Sequence, residues 1–377
     1  MEIYCMSEGE LYSVENGKVK HITCQRVSSY LDTLQKMRLR DEWKTKGKGA
    51  QFMGVEQKNY GETTAHGEPL LRSVCAHGGK LLYTTYIDGM GGMYLKNADT
   101  EGDETYIFAN KEFDLTGIYS DGEKCVLTVG LGFYERHIGI VNLKNGEINQ
   151  ITEGFTSETH PFISKKDSRK IFYTAMGYAR DGGGNVVEKS PCSICCYDEG
   201  TGELSELVSD DEFDYIKPSD DSEGNLYYIK RQYECYKKES NLFYDILMFP
   251  VRIIKAIGGF LSVFSMAFGG EPLRTGGRNP AKNKSKDERE LFVEGNLIRA
   301  SRKQEQTGDE GIIPSGWELI KRSGGTETVL KRGVMDYRIT DDGDIVYSNG
   351  TALRILKKDG KDEKLCKLSL ANTITLL

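Results

Sequence analysis

The chain has 377 residues, a net charge of −7, 38% hydrophobic residues and 28% charged residues. This length allows two average domains or one large all-β domain. The acidic balance is typical of a soluble globular protein and excludes a chain-wide basic surface, so we expect no nucleic-acid partner. The start, MEIYCMSEGELYSVENG, lacks the cationic and apolar regions of a secretory signal, and the nine cysteines have no regular spacing. We therefore expect a cytoplasmic chain with reduced thiols.

The first predicted elements are a hairpin and a helix. Residues 11–23, LYSVENGKVKHIT, match the later hairpin sequence GIVNLKNGEINQIT and predict paired outer strands. Segment 24–66 follows, and its apolar residues recur at helical spacing, which predicts a helical insertion packed over one face of the fold, with a partner-binding helix as the alternative. The spaced residues are Val27, Tyr30, Leu31, Leu34 and Met37.

A repeat then runs along the chain. Each copy places Gly or Ser ahead of a short β-branched and aromatic run, which is typical of a turn feeding a strand. An extended run precedes each copy, and hairpins with tight turns such as Asn145-Gly146 and Thr201-Gly202 follow, so the predicted unit is four antiparallel strands. The copies are GKLLYTT (79–85), GEKCVLTV (122–129), SRKIFYTA (168–175), GNLYYIK (224–230) and GDIVYSN (343–349).

The spacing of the copies predicts a β-propeller. Leu81, Cys125, Ile171 and Leu226 occupy equivalent positions, and the intervals between them are typical of propeller blades. The C-terminal run NTITLL can supply the missing inner strand of the N-terminal blade, which would close the ring and hide both edges. We therefore expect residues 1–377 to form a single all-β, six-bladed propeller of four-stranded antiparallel blades, closed by the C-terminal strand.

The stretch ITEGFTSETHPFISKKDSRKIFYTA, followed by SICCYDEGTGELSEL, resembles the TolB-like six-bladed propeller repeat family. The resemblance extends blade by blade over most of the chain and implies the fold. It does not imply an activity, because propellers carry unrelated functions. The chain departs from the family in its long insertions and in lacking the secretion signal of periplasmic relatives.

Three long segments are expected on one face of the propeller. Antiparallel strand order returns 24–66, 177–191 and 233–290 to the same end, whereas turns at the other end, such as Asp359-Gly360, are short. Long loops held on a rigid scaffold usually carry function. The run GLGFYERH places Phe133, Tyr134 and Arg136 in a loop on this face, and these residue types anchor protein interfaces.

The residue pattern of segment 233–290 predicts an amphipathic helix over 243–268 and a basic loop after it. Both are expected as an insertion in the fifth blade. We expect no membrane span, because strands near 224–232 and 291–299 would belong to one blade and must lie on the same side of a bilayer. Two alternatives stay open: the helix lies in the interface of an anionic membrane, or it is buried against protein. The predicted binding residues are Phe249, Arg252, Ile253, Lys255, Ile257, Phe260, Leu261, Phe264, Phe268, Arg274, Arg278, Lys282, Lys284 and Lys286.

Signals for catalysis or metal binding are weak. Cys192, Cys195 and Cys196 alternate along a strand and lack a second ligand pair, so they are expected in the core rather than at a metal. No nucleophile elbow or phosphate-binding glycine loop is present, and we expect no cofactor. The sequence thus favours a non-catalytic scaffold that binds a protein partner through its loop-rich face and is peripheral at the cytoplasmic membrane surface. The alternative is a lyase or hydrolase with a saccharide or peptide site in the central funnel, using His66, His137 or Arg136.

Overall fold

The computed structural model describes residues 2–45, 70–98, 102–132, 134–183, 186–233, 288–301 and 310–377. These residues form 27 strands and one helix, and successive strands are paired antiparallel almost throughout. The structure is therefore mostly β, as the sequence predicts.

The first sheet joins the beginning of the described chain to its end. Its strand order is β27 (Asn372–Leu376), β1 (Ile3–Ser7), β2 (Glu10–Glu15) and β3 (Lys18–Ile22). Ile3 lies opposite Leu376, and backbone hydrogen bonds connect Glu2 with Leu377 in both directions, at 3.1 and 3.3 Å. The C-terminal strand thus pairs with the N-terminal hairpin, as predicted.

The next strands follow the predicted repeat. One sheet contains β4 (Leu71–His77), β5 (Lys80–Ile87), β6 (Met90–Lys96) and β7 (Glu104–Asn110). A larger sheet contains β8 (Asp114–Ser120), β9 (Cys125–Gly130), β10 (Arg136–Val141) and β11 (Ile148–Gln150), together with β12 (Thr156–Ile163), β13 (Lys170–Arg180), β14 (Val186–Lys189), β15 (Ser193–Asp198) and β16 (Glu203–Val208). A single parallel bridge between β10 and β12 joins its two halves. The predicted turn glycines Gly146 and Gly202 have φ of 72° and 73°, values that glycine adopts without steric cost.

In the next sheet, one predicted strand is wrong. It contains β17 (Phe213–Asp220), β18 (Leu226–Gln232), β21 (Glu318–Ser323) and β22 (Thr326–Arg332). The third strand of this sheet is therefore β21, not the run near 291–299. That run forms a separate hairpin, β19 (Glu288–Val293) with β20 (Asn296–Ser301), because Leu319 and its neighbours pair with β18. The insertion thus extends well past residue 290.

The last sheet contains β23 (Asp336–Ile339), β24 (Ile345–Ser348), β25 (Ala352–Leu356) and β26 (Asp362–Lys367). Polar contacts link the first strands of successive sheets, and β8 lies beside β12. The linking hydrogen bonds run from the Ile118 N–H to Ser73 Oγ, from the Lys165 N–H to Asp220, from the Tyr337 hydroxyl to the Lys217 carbonyl, from the Ile374 N–H to Asp336, and from the Ala76 N–H to Thr375 Oγ1.

The hydrophobic core lies between neighbouring sheets. One cluster, for example, combines Tyr4 and Leu11 of the first sheet with Leu81 and Tyr83 of the second, all buried. Apolar faces packed in this way remove both sides of each sheet from water, which is the main stabilising contribution in such a fold.

The helix α1 (Gln25–Thr45) follows β3, within the predicted insertion 24–66. The Glu104 carboxylate accepts the N–H groups of Gln25 and Arg26 at 2.6 and 3.2 Å, so it satisfies two donors that a helix start leaves unpaired. Leu31 and Met37, which were expected to pack, are half exposed. The helix therefore contacts the sheets mainly through its first turns, and residues 46–66 lie outside the described part of the chain.

Candidate functional site

Three chain segments meet at one end of the strands of the largest sheet. The bridge between Arg136 and Ser157 places the start of β10 beside the start of β12. Thr156 lies opposite Gly177, and the β13–β14 hairpin extends beyond that point. The loop before β10, the residue before β12 and the predicted loop segment 177–191 are thereby brought together.

These segments form a surface that we call the rim patch: Tyr134, Phe155, Tyr178, Arg180 and Lys189. The Arg180 guanidinium lies 5.2 Å from the centroid of the Tyr178 ring and 5.6 Å from that of Phe155. The Lys189 ammonium lies 4.3 Å from the centroid of Tyr134. Tyr178 is buried beneath the patch, whereas Phe155 is 69% exposed. Cations held over aromatic faces are stabilised by about 0.5–1 kcal/mol each at exposed sites.

The rim patch has the chemistry of a binding surface. Aromatic and arginine side chains dominate the energetics of protein interfaces, because aromatic rings bury large areas with little conformational freedom to lose and the guanidinium forms several hydrogen bonds. Arg180 is 3.5 Å from Glu135, so its charge is only weakly paired. The patch can therefore bury an apolar side chain on Phe155 while Arg180 and Lys189 attract a carboxylate.

A second feature, the channel cluster, lies where the first strands converge: His160, Lys217, Glu294 and Asp336. The Lys217 ammonium is 3.0 Å from Glu294 Oε1 and 3.1 Å from Asp336 Oδ1, and His160 Nε2 is 3.5 Å from Glu294 Oε2. Glu294 comes from the turn of the β19–β20 hairpin. His160, Lys217 and Glu294 all have positive φ, between 46° and 56°. Such strain in residues other than glycine persists only where the surroundings enforce it.

The charges of the channel cluster stabilise one another. Burial acts to raise the pKa of Glu294, but the Lys217 ammonium and His160 outweigh it and hold the pKa well below the usual carboxyl range. Burial acts to lower the pKa of Lys217, but Asp336 and Glu294 outweigh it and raise the pKa above the usual value. Glu294 and Lys217 are therefore both ionised at neutral pH.

The histidines and cysteines of the described chain have structural partners. His137 is buried, with Nδ1 2.8 Å from Glu158, and Nδ1 of His77 is 2.7 Å from the Ser120 hydroxyl. Burial, followed by the nearby Asp214 carboxylate, raises the pKa of Cys192 to about 12, so this thiol is protonated at neutral pH and is a poor nucleophile.

The cysteine triplet is in the core, as predicted. Cys192, Cys195 and Cys196 pack in three different hydrophobic clusters. Within the residues that the structure describes, no group of three potential ligands is placed to hold a metal ion.

The structure describes few of the predicted binding residues. Tyr134 belongs to the rim patch and Arg136 begins β10 beside it, whereas Phe133 lies outside the described residues. The predicted amphipathic helix 243–268 and the basic residues 274–286 also lie outside them, so both alternatives for that segment stay predictions. No helix in the described part of the chain is long and apolar enough to cross a membrane.

The sequence interpretation missed most of the rim patch and all of the channel cluster. The signal for Arg180 and Lys189 was their position in the loop segment 177–191. Placing Arg180 over Phe155 and Lys189 over Tyr134 requires the β10–β12 bridge. Lys217 and Glu294 carry no local signal, because they are 77 positions apart in the sequence.

Comparison with known proteins shows the fold but no family membership. No family model and no curated protein matches the chain. Among solved structures, TolB from Acinetobacter baumannii has a TM-score of 0.50 at 11% identity, with 99% of this chain and 66% of that chain covered. This chain thus spans just under two thirds of that TolB.

Two further structures are more distant. A putative TolB from Agrobacterium tumefaciens has a TM-score of 0.43 at 12% identity, covering 81% of this chain and 83% of that one. An oligogalacturonate lyase from Vibrio parahaemolyticus has a TM-score of 0.39 at 14% identity, covering 79% and 78%. The likeness to the Acinetobacter protein supports a TolB-like propeller fold, and at this identity it shows the fold alone.

Proposed function

We propose that the chain forms one six-bladed propeller that acts as a non-catalytic, protein-binding scaffold. The four-stranded units, the pairing of β27 with β1 and the polar contacts between successive first strands support the closed, six-bladed arrangement. A closed ring leaves no open inner edge and gives its rim loops a rigid base.

The rim patch is the observation that carries the binding function. Its exposed phenyl ring and two cations match a partner segment that presents an apolar side chain next to an acidic one. The apolar side chain would cover Phe155, and the carboxylate would lie between Arg180 and Lys189. Burial of the ring and a charge-assisted hydrogen bond to Arg180 would supply most of the affinity.

Site-specific photocrosslinking tests this proposal. A photoreactive phenylalanine analogue replaces Phe155 or, as a matched control on another sheet, Tyr106, which is 60% exposed. We expect position 155 to crosslink a distinct protein in cells and position 106 to crosslink none of it. The purified partner should then bind Phe155→Ala and Arg180→Ala about 10- to 100-fold more weakly than the unmodified chain, and Tyr106→Ala unchanged. Equal crosslinking at both positions, or unchanged affinity of the two patch variants, would refute the rim patch as a binding surface.

Attachment to a membrane surface through residues 243–268 and the basic residues that follow is a separate proposal that rests on sequence alone. A wide apolar helix face next to a polybasic segment is the combination that binds anionic lipid stably.

A further inference from the structure

A cavity of about 220 Å³ lies between the first strands, beside the channel cluster. Its walls come from the β8, β9, β12, β13, β17 and β18 strands, and Glu294 of the β19–β20 hairpin closes part of it. The wall is mostly apolar, and further polar groups come from Thr116, Thr128, Thr159, Thr174, His160 and Arg231. A space of this size suits a small molecule or several waters.

One hydroxyl in the cavity has no partner, although its counterparts in other copies of the repeat do. Thr84, Thr128 and Thr174 occupy similar positions in the second strands β5, β9 and β13. Thr84 donates to the Leu115 carbonyl at 2.8 Å, and Thr174 accepts the Lys217 N–H at 3.1 Å. The fully buried Thr128 hydroxyl has no hydrogen-bond partner. Since buried polar atoms are normally satisfied, this exception indicates a missing partner inside the cavity.

Arg231 supplies a second unpartnered donor. Its side chain is buried, its Nε donates to Asp214 at 3.1 Å, and its guanidinium lies 4.5 Å from the centroid of Trp317. These contacts fix the plane of the guanidinium and leave Nη1 buried with no partner at the cavity. A preorganised, desolvated N–H donor costs free energy until an acceptor oxygen reaches it.

The charges that line the cavity already have partners. Arg231 and Glu294 lie in its wall, and Arg231 is paired with Asp214 and Glu294 with Lys217. We therefore expect a neutral ligand, which has to offer acceptors to Arg231 as well as donors to a carboxylate. Hydroxyl groups do both.

We propose that this cavity binds a small neutral polyhydroxyl molecule, the size of a monosaccharide or cyclic polyol. One ligand hydroxyl accepts from Arg231 Nη1, another pairs with the Thr128 hydroxyl, and a third donates to Glu294. This site is independent of the rim patch, so either one can fail without the other.

The test is isothermal titration of the full chain with D-glucose, D-galactose, D-mannose and myo-inositol, each at up to about 50 mM, with D-glucuronate and D-galacturonate as charged counterparts. We expect at least one neutral compound to bind with a Kd of about 1–10 mM or below, and both uronates to bind at least about tenfold more weakly than that compound. Failure of all four neutral compounds to bind, or a preference for a uronate, would overturn the proposal.

Matched threonine variants locate the binding. Thr128→Val keeps the shape and removes a hydroxyl without a protein partner, so it should keep or raise the Tm and weaken binding about tenfold. Thr84→Val removes a hydroxyl that is bonded within the protein, so it should lower the Tm and leave the Kd unchanged. Unchanged binding by Thr128→Val, or a crystal structure of the soaked protein with only water in the cavity, would contradict the assignment.

Discussion

Replacing Lys217 by Met tests whether the channel cluster holds the centre of the molecule together. Methionine keeps the length and the apolar stem but removes the charge, which leaves Glu294 and Asp336 facing each other without a cation. The Lys217 side chain is 10% exposed, and Asp336 is similarly buried. Removing one partner of a fully buried ion pair costs 3–5 kcal/mol, and because Glu294 is 26% exposed we expect about 3 kcal/mol here.

Urea denaturation followed by tryptophan fluorescence measures this loss, since Trp317 is buried in the adjacent hydrophobic cluster. A second variant, Lys217→Met with Glu294→Gln, removes one of the opposed charges and should recover about 1 kcal/mol. Lys361→Met, which removes an exposed cation beside Glu363, is the matched control and should cause no measurable loss. A loss below about 1 kcal/mol for Lys217→Met, or no recovery in the double variant, would show that these ion pairs do not stabilise the fold.

Three further predictions concern other parts of the chain. Glu104→Gln keeps the shape of a buried side chain but converts one acceptor oxygen into a donor facing the N–H groups at the start of α1. We expect the free energy of unfolding, measured by urea denaturation, to fall by about 2 kcal/mol. An unchanged free energy would contradict the role of Glu104 as a helix cap. Because the pKa of Glu294 is lowered, its stabilisation is complete above the ordinary carboxyl pKa of about 4.3 and is lost as the pH falls through the lowered value. The protection factors of the amides in residues 288–301, which correct for the intrinsic pH dependence of hydrogen exchange, should therefore be constant from about pH 7 to 5 and fall only at lower pH, a step that Glu294→Gln should lack. In liposome co-sedimentation, the intact chain should pellet with anionic vesicles in a salt-sensitive way, and a variant with residues 241–288 replaced by a Gly-Ser linker should not. Pelleting of neither protein would reject attachment by this segment.

The strand repeat could be predicted because its signals are local. Alternating apolar residues and glycines in tight turns set strand and turn positions without reference to the rest of the chain. The pairing of β27 with β1 could also be predicted, because the N-terminal hairpin lacked an inner strand that the run at 372–377 could supply.

The strand assignment near 291–299 was wrong for a physical reason. The β19–β20 hairpin has the same alternation and the same glycine turn, at Gly295, as the outer strands of the repeat. Its buried residues Leu291, Val293 and Ile298 pack against the β17–β18–β21–β22 sheet and the last sheet instead of extending the former. Alternation specifies a strand but not its partner, so only the long-range packing distinguishes the two arrangements.

The candidate sites were harder to predict than the fold. Tyr134 was identified from residue type and loop position. The cations over the aromatic rings of the rim patch and the ion pairs of Lys217 depend on contacts between separate strands, which no spacing in the sequence reveals.

The pairing of residue 2 with residue 377 also affects how the protein is made. During synthesis the first hairpin leaves the ribosome long before β27, so the inner edge of β1 stays without its strand partner until residues 372–376 emerge. Contacts of such large sequence separation slow folding and expose sheet edges to association with other chains. We therefore expect a nascent chain that stops short of residue 372 to depend on chaperones for solubility, and a chain that includes β27 to be released from them once this strand is in place.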